Sequence, residues 1–220
     1  MAGDPDFHDG RPAAEHAPVR RERPGAEVAQ NERVADTPRT KAGGAGFSPS
    51  ASRGLGAWWR HSGLAPDPVL RAFDEAAFQR IEAAIDAGEQ RHRGEICFAI
   101  ESALGWRSLR QGLSARERAL QVFGEQRVWD TEENTGILIY LLTADRAVEI
   151  IADRLVHQLL PADIWQQACQ RVVGAGIGGG NRVDGVIAAI ELLNQALTEF
   201  LPARSGDRNP DELENRPVRL

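Results

Sequence analysis

Cysteine, long apolar runs and any surplus of basic charge are all scarce in this chain, and each scarcity removes a class of protein. Two cysteines in 220 residues cannot build a disulfide framework. Cys97 and Cys169 each lie inside an apolar segment, where buried, reduced thiols in a cytoplasmic compartment are expected, with a shared metal ion as the alternative. Lys and Arg number 26 against 32 Asp and Glu, a formal charge of -6, so no general field draws the protein to nucleic acid or anionic lipid. The richest apolar run, Ile137 to Leu142, is far shorter than the roughly 20 residues that cross a bilayer. The opening M-A-G-D-P-D-F-H-D-G has neither the basic nor the apolar region of a secretory signal. A cytoplasmic protein without a membrane span is expected.

What is present is enough apolar material, 42% of the chain, for one well-buried domain. Residues 1–66 are dense in Pro, Gly, Ala, Arg and Glu without a helical or strand period, the composition of a disordered tail. Arg20, Arg21 and Arg23 form a basic cluster in it, read as solvated, with an acidic partner or a membrane surface as the alternative. Trp58 and Trp59 fit either a short interaction motif or a segment folded back on the domain. The domain itself is expected over 67–202, followed by an extended polar tail over 203–220.

Within the domain, Phe73, Ala77, Ile81, Ala84 and Ile85 share one helical stripe, predicting a first helix from about Pro68 that Gly88 stops. Glu95 to Leu104 keeps charge away from the centre of both strand faces, as an interior strand does. Gly105 and Gly112 bound a loop. Ser114-Ala115-Arg116-Glu117 is a capping box that opens a second helix. Ile137 to Leu142 is apolar on both faces, so helices must cover both sides of its sheet. Strand, helix, strand makes a parallel pair. Thr143-Ala144-Asp145-Arg146 is too short for another crossover, so Ala147 to Ala152 returns as an antiparallel hairpin. Pro161 opens a third helix, and Val183 to Phe200 a strongly periodic fourth. The expected fold is a three-layer α/β/α sandwich with a mixed sheet.

Gly174-Ala175-Gly176-Ile177-Gly178-Gly179 matches G-x-G-x-x-G, but a dinucleotide turn needs a strand before it and a further strand after its helix. A helix-to-helix connection, with Asn181 capping the next helix, fits better. Asp130, Glu132 and Glu133 precede the strand that Asp145 follows, about 20 Å away at 3.3 Å per residue. Asp153, at the end of the returning strand, comes back toward Asp130 and Asn134, and such oxygens suit a hard cation such as calcium or magnesium. Acidic residues at turns and helix starts are equally well explained by solubility and capping. No nucleophile-and-base arrangement is readable. His8, His16 and His61 fall in the tail, while His92 and His157 read as surface residues. Arg91 and Arg93 beside His92 read as a solvated charge cluster, with anion binding as the alternative. Trp106, Trp129 and Trp165 read as core or rim packing.

Several linked stretches carry a resemblance: Arg91 to Ile96, Ala115 to Ala119, Val128 to Tyr140, Val148 to Arg154 and the terminal Asp211 to Val218. Together, over Pro68 to Leu220, they resemble the TPM domain family in its short bacterial form. The resemblance implies an α/β/α sandwich, and associates the chain with weak acid phosphatase activity, divalent-cation binding, photosystem II repair and accessory roles toward membrane proteins, LemA-type proteins among them. It carries over Asp130, Glu133, Asn134 and Asp153 as metal-site candidates, with Ca2+ or Mg2+ as the ion. No catalytic set carries over, and the Gly176 to Gly180 segment departs from the family pattern. The expected function is an accessory module acting with a membrane-associated partner, in the cytoplasm or peripheral to the inner membrane. The alternative is a divalent-metal-dependent acid phosphatase, with dinucleotide binding a distant third.

Overall fold

A computed structural model describes residues 40–41, 56, 59, 61–62, 67–177, 181–204, 213 and 215–220, all within one compact unit that spans 33–220. Most of the segment expected to be a disordered tail, with Arg20, Arg21, Arg23 and Trp58, lies outside them, as do Gly178 to Gly180. Five strands, β1 (Thr40–Lys41), β2 (Glu95–Glu101), β3 (Gly136–Leu142), β4 (Ala147–Ala152) and β5 (Val218–Arg219), form one sheet in the order β1-β4-β3-β2-β5. The helices are α1 (Pro68–Ala72), α2 (Glu75–Glu89), α3 (Trp106–Gln111), α4 (Ala115–Glu125), α5 (Arg154–Leu159), α6 (Ala162–Ile177) and α7 (Arg182–Phe200).

β2 and β3 run parallel from Glu95↔Gly136 to Glu101↔Leu142. β3 and β4 form the expected hairpin, Ile137 opposite Ala152 and Leu142 opposite Ala147. Every residue of β2 and β3 is buried, so helices lie on both faces, and each large side chain removed from water contributes about 1.5–3 kcal/mol. One face packs Ile96, Phe98, Ile137 and Ile139 against α2, α6 and α7. The other packs Ala99, Leu138 and Tyr140 against α4. Cys97 and Cys169 lie in these two separate layers, and burial pushes the Cys97 thiol up to about 12.

Local chemistry explains where elements start. Ser114 and Glu117 form the reciprocal capping box that opens α4, and the Asn181 side chain accepts the Val183 N–H at the start of α7. The single first helix is instead two: Asp67 caps α1, and Asp74 caps α2 by accepting the Ala77 N–H at 2.9 Å. Gly88 does not stop α2, which ends at Glu89; it lies where a Cβ would strike the Asn194 amide of α7. Residues 106–111, expected as loop, form α3, closed by Gly112 at φ 71°. α6 carries helix through Gly174 to Ile177, beyond the point where the connection was expected to begin. The terminal segment supplies β5, pairing Val218 with Ala99.

His92, expected at the surface, is fully buried. Its Nδ1 accepts the Gly94 N–H at 3.2 Å, so Nε2 carries the hydrogen and donates to Asn194 Oδ1 at 3.0 Å. Asn194 in turn donates to the Ala84 carbonyl at 2.9 Å. The imidazole thus joins β2, α2 and α7 in its neutral form, and burial lowers its pKa from 6.5. The unfolded chain takes up a proton below that value and the folded chain resists it, so this contribution is present above pH 6.5 and lost as pH falls. Urea midpoints measured from about pH 8 down to about pH 5 should fall, and His92→Gln should flatten the profile. A wild-type midpoint that holds steady across the range would contradict this assignment.

Candidate functional site

The sequence-predicted candidates gather where β3 begins. After α4 the chain turns through Arg127, at φ 54°, and Asn134, at φ 59°, a conformation that asparagine tolerates better than most residues. The Thr131 hydroxyl accepts the Thr135 N–H at 2.9 Å and the Thr131 carbonyl accepts the Asn134 N–H at 3.2 Å. Gly136 follows, where any Cβ would strike the Val128 carbonyl. These constraints bring Asn134 to Asp153: the Asp153 N–H donates to the Gly136 carbonyl at 2.9 Å and the Leu155 N–H to the Asn134 carbonyl at 3.3 Å.

Their side chains meet arginines. Asp153 is buried and its Oδ1 caps α5 through the Arg154 N–H at 2.6 Å. The Arg154 guanidinium donates to Asn134 Oδ1 at 3.1 Å, with its Nε 3.9 Å from Asp153 Oδ1. Glu133 pairs with Arg93 and, at 2.8 Å, with Arg204. Arg93 therefore takes part in an ion-pair cluster, and burial and the neighbouring Arg204 charge lower its pKa. Asp130 is exposed on the turn. For a calcium or magnesium ion to enter, Glu133 must leave two guanidinium groups and Asn134 a third, and Asp153 must give up its helix cap. As folded, the four residues do not fit a cage for a hard cation. Among the described residues, no group of three or more His, Cys, Asp and Glu side chains is placed to hold a metal.

A second polar cluster lies under α4. Arg116 is 6% exposed and donates from Nη1 to the Ile150 carbonyl at 2.7 Å, with Glu149, 3% exposed, 3.7 Å away. Arg118 reaches Glu101 at 2.9 Å and Glu125 at 2.9 Å. Burial opposes the Arg118 charge, but the bonds to Glu125 and Glu101 raise its pKa overall. The Tyr140 hydroxyl donates to Glu101 at 2.7 Å. Burial, then the Glu101 bond and charge, push the phenol far up, so it stays a donor. Nearby, His61 is buried: Nδ1 accepts the Leu104 N–H at 3.0 Å and Nε2 lies 3.1 Å from Asp145 Oδ1. The Thr143 hydroxyl bonds Asp67. Sequence reading missed this cluster and placed His61 in the tail. The available signal was a carboxylate at the end of one apolar strand, Glu101, and another inside a second, Glu149, together with a helix carrying Arg116 and Arg118.

Replacing Arg116 by alanine strips Glu149 of the guanidinium beside it, and should cost about 3–5 kcal/mol. Arg116→Met combined with Glu149→Leu should recover most of that loss, because apolar groups of similar size fill the space without a stranded charge. Guanidinium denaturation of the single and double variants separates the two effects. Equal losses in both would mean that packing, and not charge pairing, holds α4 here.

The TPM domain family pattern matches residues 70–196, more than half of the chain. No curated protein matches. Among solved structures, the chain is similar to the NMR structure of the BA42 protein from the psychrophilic bacterium Bizionia argentinensis, at 23% identity and a TM-score of 0.58, over 66% of this chain and 94% of that one. That likeness carries the fold. The family pattern carries the kinship: over the span that folds as the α/β/α sandwich, the chain belongs to the TPM domain family.

Proposed function

We propose that the protein is an accessory module that binds a membrane-associated protein, on the cytoplasmic side of the inner membrane, and that its carboxylates serve structure and recognition. The observation that carries this reading is the surface of the turn before β3. Trp129 is 42% exposed there, next to exposed Asp130 and close in sequence to the Glu133 and Asn134 pairs with arginine. An exposed tryptophan within a field of paired charges is the composition of an interface hot spot, whereas carboxylates engaged by guanidinium groups are poor metal ligands and poor proton shuttles. No helix among the described residues is long and apolar enough to cross a membrane, so on this reading the membrane is reached through a partner or a peripheral contact.

A photo-crosslinking amino acid at position 129 should capture one integral membrane protein, of LemA type if the family association holds, and the same probe at exposed Gln79 on α2 should not. Capture that is equal at both positions would sink the reading. Purified protein should hydrolyse a phosphate monoester no faster than buffer, and calorimetry with calcium, magnesium or manganese should show no saturable heat. Enzymatic turnover that depends on added metal and disappears in Asp153→Ala would replace the accessory reading with the metal-dependent phosphatase.

A further inference from the structure

The two most exposed large apolar side chains among the described residues are Trp59, at 61%, and Trp106, at 59%. They lie far apart in sequence but flank one hydrogen bond. His61, two residues after Trp59, accepts the N–H of Leu104, two residues before Trp106, at 3.0 Å. Ser62 closes a turn back onto the Trp59 carbonyl with its N–H at 3.3 Å and its hydroxyl at 2.8 Å. Both tryptophans are therefore presented by a tied edge of the fold, at the end of the sheet where β2 and β3 finish.

The segment that bears Trp106 is cationic, and the acidic group beside it, Asp145, is engaged by His61 at 3.1 Å. Between Glu101 and Glu117 there is no carboxylate, although the protein carries a net charge of -6. Arg107 and Arg110 are exposed, and their guanidinium carbons lie 5.8 and 5.6 Å from the centre of the Trp106 ring. Leu109 of the same short helix packs on the core beneath α4, so α3 is anchored on one side and presents its Trp and Arg side chains on the other. Indole rings favour the boundary between headgroups and acyl chains, and arginine pairs with phosphate in the same layer. Stacking of the guanidinium groups on the indole holds apolar and cationic groups at one depth. Two arginines are too few to track a nucleic-acid backbone.

We propose that this edge docks the protein on an anionic phospholipid surface, with Trp106 and Trp59 entering the headgroup layer and Arg107 and Arg110 pairing with lipid phosphates. The inference deepens the membrane-side reading above, and rests on it for placement, but it uses different residues at the opposite end of the sheet. With two cationic side chains the attachment is weak, reversible and sensitive to salt.

Flotation of the full chain with vesicles tests it. The protein should float with vesicles of equal parts phosphatidylcholine and phosphatidylglycerol, stay behind with phosphatidylcholine alone, and be released by about 0.5 M salt. Trp106→Ala, and separately the pair Arg107→Glu with Arg110→Glu, should each cut the floated fraction by roughly fivefold or more while leaving the thermal midpoint unchanged, since these side chains are exposed. Failure of wild type to float with the anionic vesicles overturns the proposal. So does undiminished flotation of the double arginine variant, which would place lipid contact elsewhere on the chain. Vesicles without protein separate this outcome from the partner reading: crosslinking through position 129 with no flotation would sink the lipid contact and leave the accessory function standing.

Discussion

The structure depends on covering both faces of the β2 and β3 pair, and the two faces are covered unequally. One side receives α2, α6 and α7, whose apolar stripes interlock into the larger core. The other receives chiefly α4, a helix of 11 residues, assisted by the terminal segment through Leu213 and Val218. So thin a layer buries less apolar area, and the protein supplements it with polar ties. Arg116 reaches through the layer to a β4 carbonyl, while Arg118 and Tyr140 converge on Glu101. Buried ions are costly to desolvate and contribute only when their bonds are well satisfied. What they supply here is position: the arginines fix where α4 lies along strands that would otherwise offer it a featureless apolar surface.

The same economy of arginine governs the turn before β3. Glu133, Asn134 and Asp153 come together because a left-handed Asn134, a glycine with no room for a side chain and a helix cap leave the backbone no other course. Once gathered, they are joined by Arg93, Arg154 and Arg204. A cluster of oxygens that reads in sequence as a cation site is, in the fold, a lattice of charge-assisted hydrogen bonds. The neutral His92 and the Asn194 amide perform a comparable joining role for α2, α7 and the start of β2.

Features determined by local chemistry were legible in advance. The two-sided apolar run of Ile137 to Leu142 required cover on both faces, the four residues after it permitted only a hairpin, and Ser114 with Glu117 announced a helix. Features determined by distant partners were not. The break between α1 and α2 was hidden because the apolar stripe continues across Phe73, and the cap at Asp74 was the only sign of it. α3 is a short helix between two glycines, a pattern that also describes a loop. β5 exists because Ala99 and Ile100 offer it a sheet edge, and His92 is buried because Asn194 lies 102 residues away with a matching oxygen. Gathering of Asn134 with Asp153 followed from the hairpin, but their arginine partners did not, since Arg93 and Arg204 arrive from elements remote in sequence.

The geometry of the sheet also bears on how one small domain could serve two surfaces. Trp129 precedes β3, whereas Trp106 follows β2, and the two strands run parallel, so these exposed rings mark opposite ends of the sheet. Seven residues of strand separate those ends by about 23 Å. A rigid ribbon with both faces covered holds that spacing, because neither end can move without shearing the buried layers between them. If lipid is met at the Trp106 end, as proposed, the Trp129 end lies at the far end of the sheet and stays open to a protein partner. On that proposal the sandwich acts as a spacer whose length is set by its seven-residue strands.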